Sequence, residues 1–169
     1  LEKDDGGNVS SINNIIGLID TSGRKIQLPF SKAYSLWNFD NNRAKVLGGI
    51  GEFDFLTANY GLINSEGKLF LDFLYNDIEV YQNGLIKVRK ENGWGLIDSN
   101  GKEILPCIYG GIRVYDNGLL RVQNGGRYGL LNFNGDTILE NRFYKLHLVT
   151  STTYLTEVNG LLGLFDSTK

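Results

Sequence analysis

Few side chains in this sequence could do chemistry. A hydrolytic triad needs a nucleophile, a base and an orienting acid in mutual reach, and the sole imidazole is His147, between Leu146 and Leu148. Arg113 and Glu79 occupy the equivalent place 34 and 68 residues earlier, so the position suits a charged, outward-facing strand residue. Cys107, the one cysteine, follows Pro106 with no nearby histidine or lysine cluster to favour its thiolate. A small, buried or half-buried residue is the expectation there. Asp20, Asp98 and Asp166 look like a carboxylate set, but Asn64 and Asn132 fill the same register. An amide cannot act as a general acid or nucleophile, whereas it accepts turn N–H groups as a carboxylate does. These positions therefore read as turn caps, no catalytic residue is assigned, and the chain is expected not to be an enzyme.

Binding chemistry is as sparse. Gly48-Gly49-Ile50-Gly51 lacks the lysine, the Ser or Thr and the following helix of a phosphate cradle, and is expected to be a loop. With one cysteine and one histidine, an internal disulfide and a zinc cage are excluded, so no metal and no cofactor is expected. Asn8-Val9-Ser10 fits a glycosylation acceptor, a pattern too short to carry weight. Two surface features remain. Lys45, Lys87 and Arg121 hold equivalent places on outward strand faces, either as ordinary solvated charge or as a basic stripe for an acidic partner patch. Glu52-Phe53-Asp54-Phe55, with Trp37 and Phe39 just upstream, alternates or mixes aromatic and acidic groups that either cover a sheet edge or dock a partner.

The elements that must hold these residues are written in the glycines, which number 22 in 169 residues, nearly twice the usual ~7%. Ile16-Gly17-Leu18-Ile19-Asp20, Tyr60-Gly61-Leu62-Ile63-Asn64, Trp94-Gly95-Leu96-Ile97-Asp98, Tyr128-Gly129-Leu130-Leu131-Asn132 and Leu162-Gly163-Leu164-Phe165-Asp166 are one pattern repeated. The last four glycines are spaced by 34 residues, and the first interval is 44. A fixed period marks a repeat architecture. The extra residues fall in an insertion over 47–59, giving units of roughly 6–40, 41–82, 83–116, 117–150 and a short 151–169. Within a unit the apolar period is two, as in Ile86-Lys87-Val88-Arg89, which predicts strands. Asn92-Gly93 and Asp98-Ser99-Asn100-Gly101 are turn signals, and Pro106 is expected to end a third strand. A fourth short strand near Ile112 leads to the next unit. The strand glycine is expected to admit a ring from a neighbouring strand against its backbone.

At these residues the chain resembles the WG-repeat family of bacteria, most closely in Gly84-Leu85, Trp94-Gly95-Leu96-Ile97-Asp98, Gly101-Lys102, Ile104, Pro106 and Tyr109. Only one unit keeps the Trp, Pro29 comes one position late, and the last unit stops at Lys169. The resemblance implies an all-β array, protein interaction as the usual role, and no catalytic residues.

The expected fold is all-β, with tandem antiparallel three-stranded meanders of about 34 residues stacked as an open twisted array. A small closed propeller-like ring is the alternative. Net charge is −2, so no bulk positive field recruits nucleic acid. No apolar run reaches the roughly 18 residues of a membrane-spanning helix. The expected function is a non-catalytic protein-interaction module, in its specific form a bacterial immunity protein that neutralises a cognate toxin in the cytoplasm. The alternatives are a cell-surface glycan-binding repeat protein, and an exported chain whose leader is removed before Leu1.

Overall fold

The computed structural model describes residues 18–19, 22–26, 28, 30, 32–37, 42–49 and 58–168. Among them every regular element is a strand. The chain divides into two compact units, residues 1–91 with 97–102, and residues 92–96 with 103–169.

In the first unit β1 (Leu18–Ile19) pairs with β2 (Lys25–Ile26). A four-stranded antiparallel sheet follows in the order β3 (Lys32–Leu36), β4 (Arg43–Gly49), β5 (Asn59–Asn64), β6 (Leu69–Tyr75). The period of two is visible in β4, where Ala44 and Val46 are fully buried and Arg43, Lys45 and Leu47 are half-buried. Ala33, Ala44, Val46, Ile63 and Phe73 form one core, with Phe30 edge-on to Phe73 at 5.3 Å. The hairpin β7 (Asp77–Val80) and β8 (Ile86–Lys90) completes the unit.

The second unit opens with β9 (Gly93–Ile97), whose last residue groups with the first unit, beside β10 (Glu103–Tyr109). Next comes a sheet of β11 (Gly111–Val114), β12 (Leu119–Asn124), β13 (Arg127–Asn132) and β14 (Thr137–Phe143). The last sheet holds β15 (Lys145–Leu148), β16 (Thr153–Val158) and β17 (Leu161–Asp166). Tyr115, Leu130, Phe143, Leu146 and Tyr154 form one core of the second unit. The Tyr115 and Tyr154 rings meet at 5.8 Å, and Asn117 donates to the Tyr154 hydroxyl at 2.9 Å.

Three expectations change. A full sheet has four strands, because the short strand expected as a link opens the next sheet. Pro106 lies inside β10 instead of ending it, at the register place of Asp72 and Glu140. In the two sheets with complete pairing that place is a bulge: between Tyr60↔Tyr75 and Leu62↔Leu71, and between Tyr128↔Phe143 and Leu130↔Leu139, one residue of the inner strand faces three of the outer. A residue in such a bulge leaves the ladder, so the N–H that proline lacks is not needed. Gly48 and Gly49 form the end of β4, not a loop, facing Ala33 and Lys32.

The repeat glycine explains the bulge. A Cβ on Gly61, Gly95 or Gly129 would lie 2.8, 2.7 or 2.9 Å from the carbonyl oxygen of Leu71, Leu105 or Leu139. A ring approaches only at Gly61, where Phe73 would be 3.1 Å away, while Cys107 Sγ and Asn141 Oδ1 fill that place at the other two. The shared requirement is close approach of backbone, and the expected aromatic contact is one variant of it.

Candidate functional site

The turn acids behave as caps. Asp98 Oδ1 accepts the amides of Asn100 and Lys102 at 2.8 and 2.9 Å. Asn64 does the same for Glu66 and Lys68 at 3.0 and 2.9 Å, and Asn132 for Asn134 and Asp136 at 2.9 Å each. Asp166 accepts the Thr168 amide at 3.0 Å. The turn then needs a left-handed residue, supplied by Gly67, Gly101 and Gly135 at φ of 78, 89 and 90°. The Lys102 amide, foremost, holds the Asp98 carboxyl below its ordinary pKa.

Cys107 is half-buried against Gly95, and His147 is an exposed residue of β15. Asp20, Phe39, Glu52, Phe53, Asp54 and Phe55 lie outside the described residues. Trp37 does not stand free: its ring is 5.5 Å from that of Tyr60, and the Lys45 ammonium sits 4.9 and 4.8 Å from the two centroids. Lys45 also reaches Asp77 at 3.4 Å. Lys87 bonds Glu79 at 2.9 Å, and Arg121 donates to the Leu146 carbonyl at 2.9 Å while lying 4.9 Å from the Tyr128 ring. All three basic residues are half-buried and bonded to neighbouring parts of the framework, so none is a freely solvated charge. For Lys45 and Arg121 the contact is with the aromatic residue preceding the repeat glycine, and ring contacts of this kind stabilise by about 0.5–1 kcal/mol.

Two features went unread in the sequence. A groove of about 500 Å³ in the second unit is lined by Arg113, Tyr115, Asp116, Asn117, Arg121 and His147, among others. On β17, Leu161, Leu162 and Leu164 are exposed, although Leu130, at the register place of Leu164, is fully buried. The register alone could have flagged the first, since it sets Arg113 opposite Arg121. It could not flag the second.

The sheets of three to four antiparallel strands, built on a recurring glycine, a bulge and a capped turn, define a tandem β-repeat protein. Residues 60–94 and 94–128 match, in tandem, the family model described as WG containing repeat. The family points to a repeat-based binding module. No curated protein matches the chain. Similar solved structures include a eukaryotic initiation factor, at 14% identity and TM-score 0.43, over 87% of this chain and 45% of that one. A candidate gluconolactonase matches at 14% identity and TM-score 0.37, over 97% of this chain and 72% of its own. The chain thus spans under half the length of the initiation-factor chain. Among the described residues no helix is long and apolar enough to cross a membrane.

Proposed function

We propose that the chain is a non-catalytic module that binds a protein partner. The observation that carries this reading is β17. It pairs with β16 on one side, and Leu161, Leu162 and Leu164 are 73, 67 and 72% exposed. Contiguous exposed apolar side chains are a surface that takes a covering chain, and in this reading the cover is a protein partner. The turn acids and Cys107 have structural employment, which supports the absence of catalysis. In the specific form of this reading the chain is a bacterial immunity protein acting on a cognate toxin, which suits its mildly acidic net charge of −2.

The test is capture of a partner from the native host by the intact chain and by the Leu162→Asp/Leu164→Asp double variant, with circular dichroism confirming that both fold. Capture by the former and loss by the latter is expected. Equal capture by both would refute the assignment of β17. Protection of cells that express the captured protein would establish the immunity form.

A further inference from the structure

In the last three sheets the first two strands set one pair of outward side chains directly opposite each other. On β7 and β8 the pair is Glu79↔Lys87, bonded at 2.9 Å. On β15 and β16 it is His147↔Leu155. On β11 and β12 it is Arg113↔Arg121. Like charges directly opposite on a ladder repel and destabilise it, so this pair asks for a compensating anion. Among the described residues no carboxylate forms an ion pair with either guanidinium. Arg121 gives one N–H to Leu146 and lies over Tyr128, and Arg113 lies 5.5 Å from the Tyr115 ring. These contacts leave most of their ten N–H donors, five on each guanidinium, without a protein partner.

Both arginines line the 500 Å³ groove, together with Asn117 and His147. They also line a smaller concavity of about 130 Å³ beside Gln123 and Tyr128. We propose that this groove seats a carboxylate of an acidic, extended segment of a protein partner, gripped by Arg113 and Arg121 together. Guanidinium matches carboxylate geometry bidentately. Charge selects among anions. Asp116 lies in the same groove, so one carboxylate against two arginines leaves the groove neutral, whereas a phosphate group of charge about −1.5 to −2 leaves it negative. The groove also extends past the arginines to Val114, Leu148 and Ser151, a mixed lining suited to peptide on either side of the anchored acid.

The full chain, labelled with nitrogen-15, is titrated with a hexaglutamate peptide and separately with inorganic phosphate. Saturable shifts at the amides of residues 113–117, 121 and 147–148 are expected from the peptide. Arg113→Glu rebuilds the Glu79–Lys87 arrangement, so it should melt no lower than the parent and bind the peptide at least tenfold more weakly. Absence of saturable shifts, undiminished binding by Arg113→Glu, or the same shifts from phosphate at lower concentration than from peptide would each overturn the proposal. Because it rests on the protein-binding reading, partner capture is measured on the same variant. Capture lost from Arg113→Glu supports the groove. Capture kept there but lost from the β17 variant overturns the groove and leaves the module intact.

Discussion

The bulge opposite the repeat glycine can be tested by adding one methyl group. In Gly95→Ala the new Cβ would sit 2.7 Å from the Leu105 carbonyl oxygen, 2.8 Å from Cys107 Sγ and 3.0 Å from the Cys107 amide nitrogen. Two of these are backbone atoms, so β10 has to move to relieve the overlap. Overpacking of this kind costs about 1–3 kcal/mol. Against it stands a gain of about 0.4–1 kcal/mol, because alanine narrows the unfolded ensemble where the backbone suits it. The net expectation is a loss of about 1–2 kcal/mol, which lowers the melting temperature of a domain this size by roughly 2–8 °C. Gly163 supplies the control. It holds the same register, yet its Cβ would meet only Thr156 Oγ1, at 3.1 Å, because no further strand lies against β17 among the described residues. Gly163→Ala should melt within about 2 °C of the parent, since the overlap is slight and the entropic gain remains. Thermal unfolding followed by circular dichroism reads both. Equal melting points for Gly95→Ala and the parent, or equal losses in the two variants, would refute the carbonyl contact as the reason for the glycine.

The same contrast between a covered and an open register place predicts that Leu130→Ala, at a fully buried site, loses about 2–5 kcal/mol, whereas Leu164→Ala, at a site 72% exposed, stays within about 0.5 kcal/mol; urea titration separates them. Because the folded-state pKa of Asp98 is lowered, chiefly by the Lys102 amide, its stabilising contribution is complete above the unfolded value of about 3.9 and is lost as pH falls through the folded value. Asp98→Asn should keep the neutral-pH melting point and flatten the acid limb of melting temperature against pH. At the other extreme, burial and then the Glu79 charge push Tyr81 up to about 12, so stability should decline from the unfolded value of about 10 upward. Tyr81→Phe should remove that alkaline loss, and ultraviolet titration of the parent should show a late-ionising phenol that is missing from the variant.

How far the sequence could be read depended on whether a property belongs to one strand or to a pair. The glycine period, the turn caps at Asn64, Asp98 and Asn132, and the alternation in β4 and β8 are properties of single segments, and they were legible. Pro106 was misplaced because its tolerance depends on a bulge, which exists only in the pairing of two strands. The ring expected at the glycine failed for the same reason, since the Leu71, Leu105 and Leu139 carbonyls carry no sequence signature beyond the repeat itself. Lys45 and Arg121 sit on alternating positions that read as solvated, yet the rings across the ladder, Tyr60 and Tyr128, draw them down. Leu130 and Leu164 make the limit explicit: same residue type, same register, same flanking glycine, and opposite exposure. Register determines which way a side chain points, while burial depends on whether another strand is there to receive it. In a repeat protein, then, the framework lies in what recurs and the candidate sites lie where recurrence breaks. Here those breaks are the like-charged pair at Arg113 and Arg121 and the uncovered leucines of β17, and each has a covered or neutralised counterpart in another repeat against which its effect can be measured.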